Sequence, residues 1–158
     1  MKKTVQIIIR ITFVIYCLVL FRLLFLELRT PIFNEEITLN IKGFNLVPFS
    51  SMAEYIEKAA EGKISVETAV FNIGGNLIAF FPMGCYLPCL FKPFKKILPF
   101  ALIVLCLLIA VETVQLILRI GIWDIDDIIL NYSGAMLGFA IVNISKIKAF
   151  LKATHIFL

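Results

Sequence analysis

Histidine occurs once in this chain, at His155, and no serine, histidine and aspartate are set out as a nucleophilic triad. Glycine is sparse, eight residues in all, and none belongs to a phosphate-cradling loop, which excludes nucleotide binding of that kind. The cysteines lack zinc-ligand spacing. No basic run is interleaved with aromatics, so nucleic acid is not a partner. Charge is scarce. Asp, Glu, Lys and Arg make up 16% of the chain, against about 25% in soluble domains, and that excludes an ordinary soluble enzyme. Acids are missing altogether between Thr68 and Val111 and again after Asp127.

What the chain has instead is hydrocarbon. It is 61% hydrophobic with a mean hydropathy of +0.98. Apolar stretches run over about residues 5–26, 69–90, 97–118 and 125–144. Each is close to the roughly 20 residues a helix needs to cross about 30 Å of bilayer, and a backbone in lipid must satisfy its own hydrogen bonds. The expected fold is an all-α membrane protein: a single domain over 1–158, four transmembrane helices, and an outward loop carrying a short amphipathic helix. The first stretch has a basic start like a signal peptide. It is too long, and no small-x-small cleavage site follows it, so it reads as a retained anchor.

Charge sets the orientation. One side holds Lys2, Lys3, Arg10, Lys92, Lys95, Lys96, Lys146, Lys148 and Lys152, with no acid. The other holds Arg22, Arg29, Lys42, Lys58, Lys63 and Arg119 together with every acid of the chain, from Glu27, Glu35 and Glu36 onward. The positive-inside rule then puts both termini in the cytoplasm. The basic residues suit anionic lipid headgroups, so membrane lipids are the first expected partners. Cys17, Cys85, Cys89 and Cys106 all fall in spans and read as small apolar residues. His155 lies in the tail and receives no role.

The loop from Glu27 to Thr68 starts irregularly at Pro31 and Asn34. Its segment Asn45–Phe49 is apolar enough to dip into the interface. Ser51 stands three residues before Glu54, a capping-box pattern. Met52, Tyr55, Ile56 and Ala59 then recur at helical spacing, with Glu54, Glu57 and Lys58 opposite. Gly74-Gly75, Pro82, Gly84 and Pro88 predict a kinked or locally unwound second span. The last two spans are expected to join through a tight turn near Gly121-Ile122-Trp123, with Trp123 as an interface anchor.

The most informative feature is polar. Glu112, Gln115, Asp124, Asp126, Asp127 and Asn131 sit in strongly apolar sequence, although a carboxylate at mid-bilayer costs about 2.5–3.5 kcal/mol on insertion scales. Glu112, Gln115 and Arg119 are spaced to share a helix face. Asp127, Asn131, Gly134 and Gly138 form one stripe, and its Gly-x-x-x-Gly half admits a close partner helix. With Asn72 and Asn76 these residues predict an outward-opening polar pocket of ligand-binding residues: Asn72, Asn76, Glu112, Gln115, Asp124, Asp126, Asp127 and Asn131. Competing readings remain open. Glu112 serves as a structural ion-pair partner of Arg22 or Arg119, Asp124 and Asp126 are wetted turn residues, and the asparagines are interhelical glue. A divalent cation held by Asp127 and Glu112 is the only cofactor the residues admit, and no metal site is assigned.

Three motifs resemble one family. Asn45-Leu-Val-Pro-Phe49 is similar to its Asn-Leu-x-Pro-Phe element. Asn72-Ile-Gly-Gly-Asn76 with Phe81-Pro82-Met83-Gly84 resembles its second helix. Glu112-x-x-Gln115, Arg119, Asp124-Ile-Asp126-Asp127 and Asn131-x-x-Gly134-x-x-x-Gly138 resemble its third and fourth. This is the VanZ-like membrane protein family. The resemblance implies a bacterial cell-membrane protein, linked through founding members to low-level teicoplanin and lipoglycopeptide resistance. It implies as partner a lipoglycopeptide or a lipid-linked cell-wall precursor. Three function classes follow. One is binding of an amphiphile in the pocket. Another is an intramembrane enzyme on a lipid-linked or polyprenyl substrate, with Glu112 and Asp127 as candidate catalytic groups. The last is a small transporter or scaffold.

Overall fold

The computed structural model describes residues 2–26, 43–154 and 156. The loop features at Pro31 and Asn34, the charges Glu27, Arg29, Glu35, Glu36 and Lys42, and His155 lie outside the described residues. Six α-helices are present among those described: α1 (Lys2–Phe25), α2 (Ser50–Ala60), α3 (Val66–Leu90), α4 (Ile97–Ile117), α5 (Ile125–Asn143) and α6 (Ser145–Ala153). Four of them, α1, α3, α4 and α5, are long and apolar enough to cross a membrane. Their bounds fall within three residues of the sequence expectation. A 3-10 turn at Lys92–Lys95 links α3 to α4. Phe44–Asn45 (β1) pairs in parallel with Trp123–Asp124 (β2), a contact absent from the sequence reading.

α3 and α5 form the tightest helix pair, and glycine is the reason. A Cβ on Gly134 would lie 1.8 Å from the Leu77 carbonyl oxygen, and one on Gly138 would lie 2.2 Å from that of Phe81. From the other side, a Cβ on Gly84 would meet the Ala135 carbonyl oxygen at 2.0 Å. Between helices in lipid the hydrophobic effect supplies little drive, so close van der Waals contact has to hold the pair. Gly84 is thus a contact point rather than a hinge. The expected unwinding is not found either: α3 is continuous across Gly74-Gly75 and keeps Pro82 and Pro88 inside it. An unwound turn in lipid would strand backbone donors and acceptors, which favours retaining the helix.

Phe80, Phe100, Val104 and Leu108 are fully buried where α3, α4 and α5 meet, and Phe100 stacks on Phe139 with ring centroids 4.5 Å apart. α1 is peripheral, with most of its apolar side chains exposed. It is fixed by Tyr16, whose hydroxyl donates to the Ala79 carbonyl at 2.8 Å and whose ring stacks on Tyr86. Gln115 Nε2 ties α1 at one end by donating to the Leu24 carbonyl at 2.8 Å. We expect Tyr16→Phe to lower stability by about 0.5–1.5 kcal/mol, the usual net worth of one hydrogen bond. The readout is the midpoint of an SDS unfolding titration.

α4 ends in a Schellman turn. Arg119 takes the left-handed conformation at φ 58°, the Arg119 N–H donates to the Leu116 carbonyl at 3.1 Å, and the Ile120 N–H donates to that of Gln115 at 3.1 Å. Arg119 therefore stands beyond the helix end, exposed, and does not share a helical face with Glu112 and Gln115 as its spacing suggested.

The antiparallel spans give the bundle two ends. Lys3, the 92–95 turn and α6 lie at a basic end, where Gln6 Nε2 donates to the Ile156 carbonyl at 3.3 Å. β1, β2, α2 and the starts of α3 and α5 lie at an acidic end. Beyond Asn143 the chain forms a further amphipathic helix, α6, that the sequence reading did not assign.

Candidate functional site

The site at the acidic end is built from the first turn of α5. Asp124 is the N-cap of that helix, and its Oδ1 accepts from the Asp126 N–H at 2.9 Å. Asp126 and Asp127 follow in the first turn, where the helix dipole favours negative charge. Asp126 is 1% exposed. Its Oδ1 accepts from the Phe49 N–H at 2.5 Å, and its Oδ2 accepts from the N–H groups of Ser51 at 2.9 Å and Met52 at 3.2 Å. These donors are the free amides at the start of α2. That helix has no side-chain cap of its own, because its N-cap position is Phe49, in the left-handed region at φ 67°. Asp126 thus caps α2 from another helix and sets its charge against that helix's positive end. The capping box expected at Ser51 and Glu54 does not form.

Ser51 has a different partner. Its hydroxyl donates to Asp124 Oδ2. Asn45 Nδ2 bridges Ser51 Oγ at 2.7 Å and Asp124 Oδ1 at 3.1 Å, and Asn45 Oδ1 accepts from Ser50 Oγ at 2.9 Å. Behind this layer Glu112, 3% exposed, accepts the Asp124 backbone N–H on Oε2 at 3.2 Å. Asp124 is therefore held from both sides. The wetted-turn reading of Asp124 and Asp126 fails because both carboxylates are buried and consumed by hydrogen bonds.

Between α2 and the spans lies a cleft of about 210 Å³. Asn72, Asn76, Asp124, Asp126 and Asp127 line it from the bundle side, and Glu54, Tyr55 and Lys58 line it from α2. Lys58 and Glu54 pair at 2.6 Å. Asp127 accepts from Asn76 Nδ2 across the α3–α5 contact. Asn72 donates to its own helix, at the Thr68 carbonyl, 2.8 Å away.

Of the eight residues read from sequence as one pocket, five line this cleft. Glu112, Gln115 and Asn131 do not. Glu112 and Gln115 lie deeper, toward Asp124 and α1, and Asn131 is buried with its Oδ1 unpartnered among the described residues. Among those residues no three His, Cys, Asp or Glu side chains are placed to share a metal ion. All four cysteines are free. The sequence reading missed Asn45 and Ser51 as site residues. Asn45 belonged to the Asn-Leu-x-Pro-Phe element, so its signal was present. Nothing in local spacing ties Ser51 to a residue 73 positions away.

A protein-family model described as VanZ/LLP1 matches residues 13–146. The chain belongs to the VanZ/LLP1 family. No curated protein and no solved structure matches it significantly. The matched stretch takes in every residue of the acidic-end network, from Asn45 to Asn131. In this VanZ/LLP1 member, with its four helices long and apolar enough to cross a membrane, the Asn-Leu-x-Pro-Phe element ends on Phe49, whose N–H donates to the Asp126 carboxylate.

Proposed function

We propose that the cleft binds the polar part of a membrane amphiphile in a bacterial cell membrane, with both termini cytoplasmic and the cleft facing outward. What supports this reading most is a second cavity beside the first. An apolar groove of about 500 Å³ runs between Ile56, Ala59 and Ala60 of α2 and Val66, Ala69 and Val70 of α3. Ile73 lines both cavities. A polar cleft opening onto an apolar groove at the edge of a span matches a molecule with a polar head and a hydrocarbon chain. The family association with lipoglycopeptides, and with lipid-linked cell-wall precursors as their targets, supplies two molecules of that shape. The resulting role is cell-envelope protection, seen as low-level tolerance of teicoplanin.

The acidic lining favours an amine- or hydroxyl-bearing head. Four acidic residues, Glu54, Asp124, Asp126 and Asp127, line the cleft with one lysine, Lys58, so a bare pyrophosphate meets like charge. Catalysis on a lipid-linked or polyprenyl substrate is the second reading. Asp127 favours it as a carboxyl at the cleft wall, and Glu112, buried behind Asp124, does not reach the cleft.

The test is susceptibility in a glycopeptide-sensitive Gram-positive host at matched membrane levels. The native chain is expected to raise tolerance of teicoplanin selectively over vancomycin. Asp127→Asn alters the cleft, and Ala59→Trp fills the groove. Each is expected to return tolerance to the empty-vector level, while the lipid-facing Ile117→Ala keeps it. Equal tolerance in the native chain and both variants would sink the proposal.

A further inference from the structure

An apolar surface at the acidic end takes no part in the cleft or the groove. Phe44, Leu46, Val47 and Phe49 are each 58–64% exposed, and none of them lines either cavity. No charged residue falls between Lys42 and Glu54. Apolar side chains exposed singly are ordinary, whereas four within the six residues 44–49 form a patch.

The exposure is built into the fold. Phe49 sits in the left-handed region at φ 67°, which a bulky side chain rarely adopts. The buried Asp126 carboxylate holds it there by accepting its N–H, and the ring is left outside. Asn45, between the exposed Phe44 and Leu46, turns its amide inward to Ser51 and Asp124. The N–H groups of Val47, Phe49, Ser50, Ser51, Met52 and Ala53 all donate within the chain, and Pro48 has none to donate. The polar groups are spent inside the protein while the hydrocarbon faces out. A segment so satisfied leaves water without stranding its donors.

Its height in the bundle says what covers it. The segment lies beside the end of a span, not beyond it. A Cβ on Gly43 would lie 3.0 Å from Leu116 Cδ1, and Leu116 belongs to the last turn of α4. Asp124, the strand partner of Asn45, donates its N–H to Glu112. Glu112 stands five residues before the end of α4, roughly 7–8 Å of helix. α4 continues past this level with the exposed Ile117. The patch is therefore level with the apolar outer surface of a span, and Phe44 packs on Trp123, with ring centroids 6.2 Å apart.

We propose that residues 44–49 insert into the bilayer at the acidic end. The Phe44, Leu46, Val47 and Phe49 side chains lie among lipid acyl chains, and the backbone lies at the headgroup boundary. This non-helical anchor fixes the start of α2, and with it one wall of the cleft, to the membrane surface. It needs no ligand in the cleft, so it stands or falls apart from the proposed function.

Fluorescence quenching in phosphatidylcholine vesicles tests it. Trp123 is the chain's one tryptophan, so Trp123→Phe gives a dark background. Into it go Leu46→Trp and Val47→Trp for the segment, Ile117→Trp for the span surface and Glu57→Trp for the charged face of α2. Equal helix content by circular dichroism keeps loss of fold out of the comparison. Lipids brominated on the acyl chains are expected to quench positions 46 and 47 to the extent seen at 117. Iodide present on both sides of the vesicle is expected to quench them far less than position 57. Iodide quenching at 46 and 47 equal to that at 57 puts the segment in water and overturns the insertion. Protection from both quenchers means that protein, such as a second copy of the chain, covers the patch, and overturns the lipid.

Discussion

Replacing Asp126 with alanine is expected to release α2 from the bundle while α3, α4 and α5 stay folded. The carboxylate holds three backbone N–H groups of the Phe49–Met52 turn and is 1% exposed. Hydrogen bonds to a charged group are worth about 1.5–3 kcal/mol each and a helix cap about 1 kcal/mol. The freed amides sit in a partly exposed turn where water replaces part of what is lost. The expected cost is therefore about 2–4 kcal/mol, well below the sum of the bonds. Hydrogen exchange gives the direct readout: amides of residues 50–60 should lose protection, with little change in α5. Asp126→Asn keeps one acceptor oxygen and should fall between. Native protection of α2 in the alanine variant would show that the cap is idle.

A larger effect is expected at Gly134. A side chain there collides with the backbone of α3, not with a movable side chain: the nearest atom to the added Cβ is the Leu77 carbonyl oxygen, at 1.8 Å. Relief requires moving one helix away from the other, which also opens the contacts at Gly84 and Gly138. Overpacking a core costs about 1–3 kcal/mol where side chains can shift. Gly134→Leu should exceed that range and leave little protein that survives extraction and heating as a folded monomer. Gly75→Ala makes the contrast, since nothing lies within 4 Å of the added Cβ. It should be neutral or gain up to about 1 kcal/mol from helix propensity. Thermal unfolding of the two variants side by side decides the matter, and equal melting would refute the packing role assigned to Gly134.

The spans were legible in the sequence because hydropathy and length are local signals, and the ends of α4 and α5 fell within one residue of expectation. The residues of the acidic-end network were legible too, since a carboxylate in apolar sequence stands out whatever it contacts. Their partners were not. Asp126 bonds to amides 74–77 positions away and Asn45 to a carboxylate 79 away. Backbone donors carry no mark in a sequence, so a cap supplied by another helix leaves no local pattern. Ser51 and Glu54 did show one, and it misled, because Phe49 occupies the N-cap position in a left-handed turn. Spacing also placed Arg119 on the face of Glu112, an inference that assumed α4 continued two residues further than it does. The prolines of α3 misled as to unwinding: they mark weak points in an isolated helix, and this one stays helical through both while packed against α5.

The cap on α2 also imposes an order on biogenesis. Ser51 leaves the ribosome 75 residues before Asp126, roughly 4–15 s earlier at ordinary elongation rates. β1 waits as long for β2. During that interval α3 and α4 are made, and the segment ahead of α3 has neither its strand partner nor its cap. Arrival of the fourth span supplies both within two residues, Asp124 and Asp126. A chain truncated before α5 therefore leaves β1 without its partner and α2 without its cap, although both were made before the third and fourth spans.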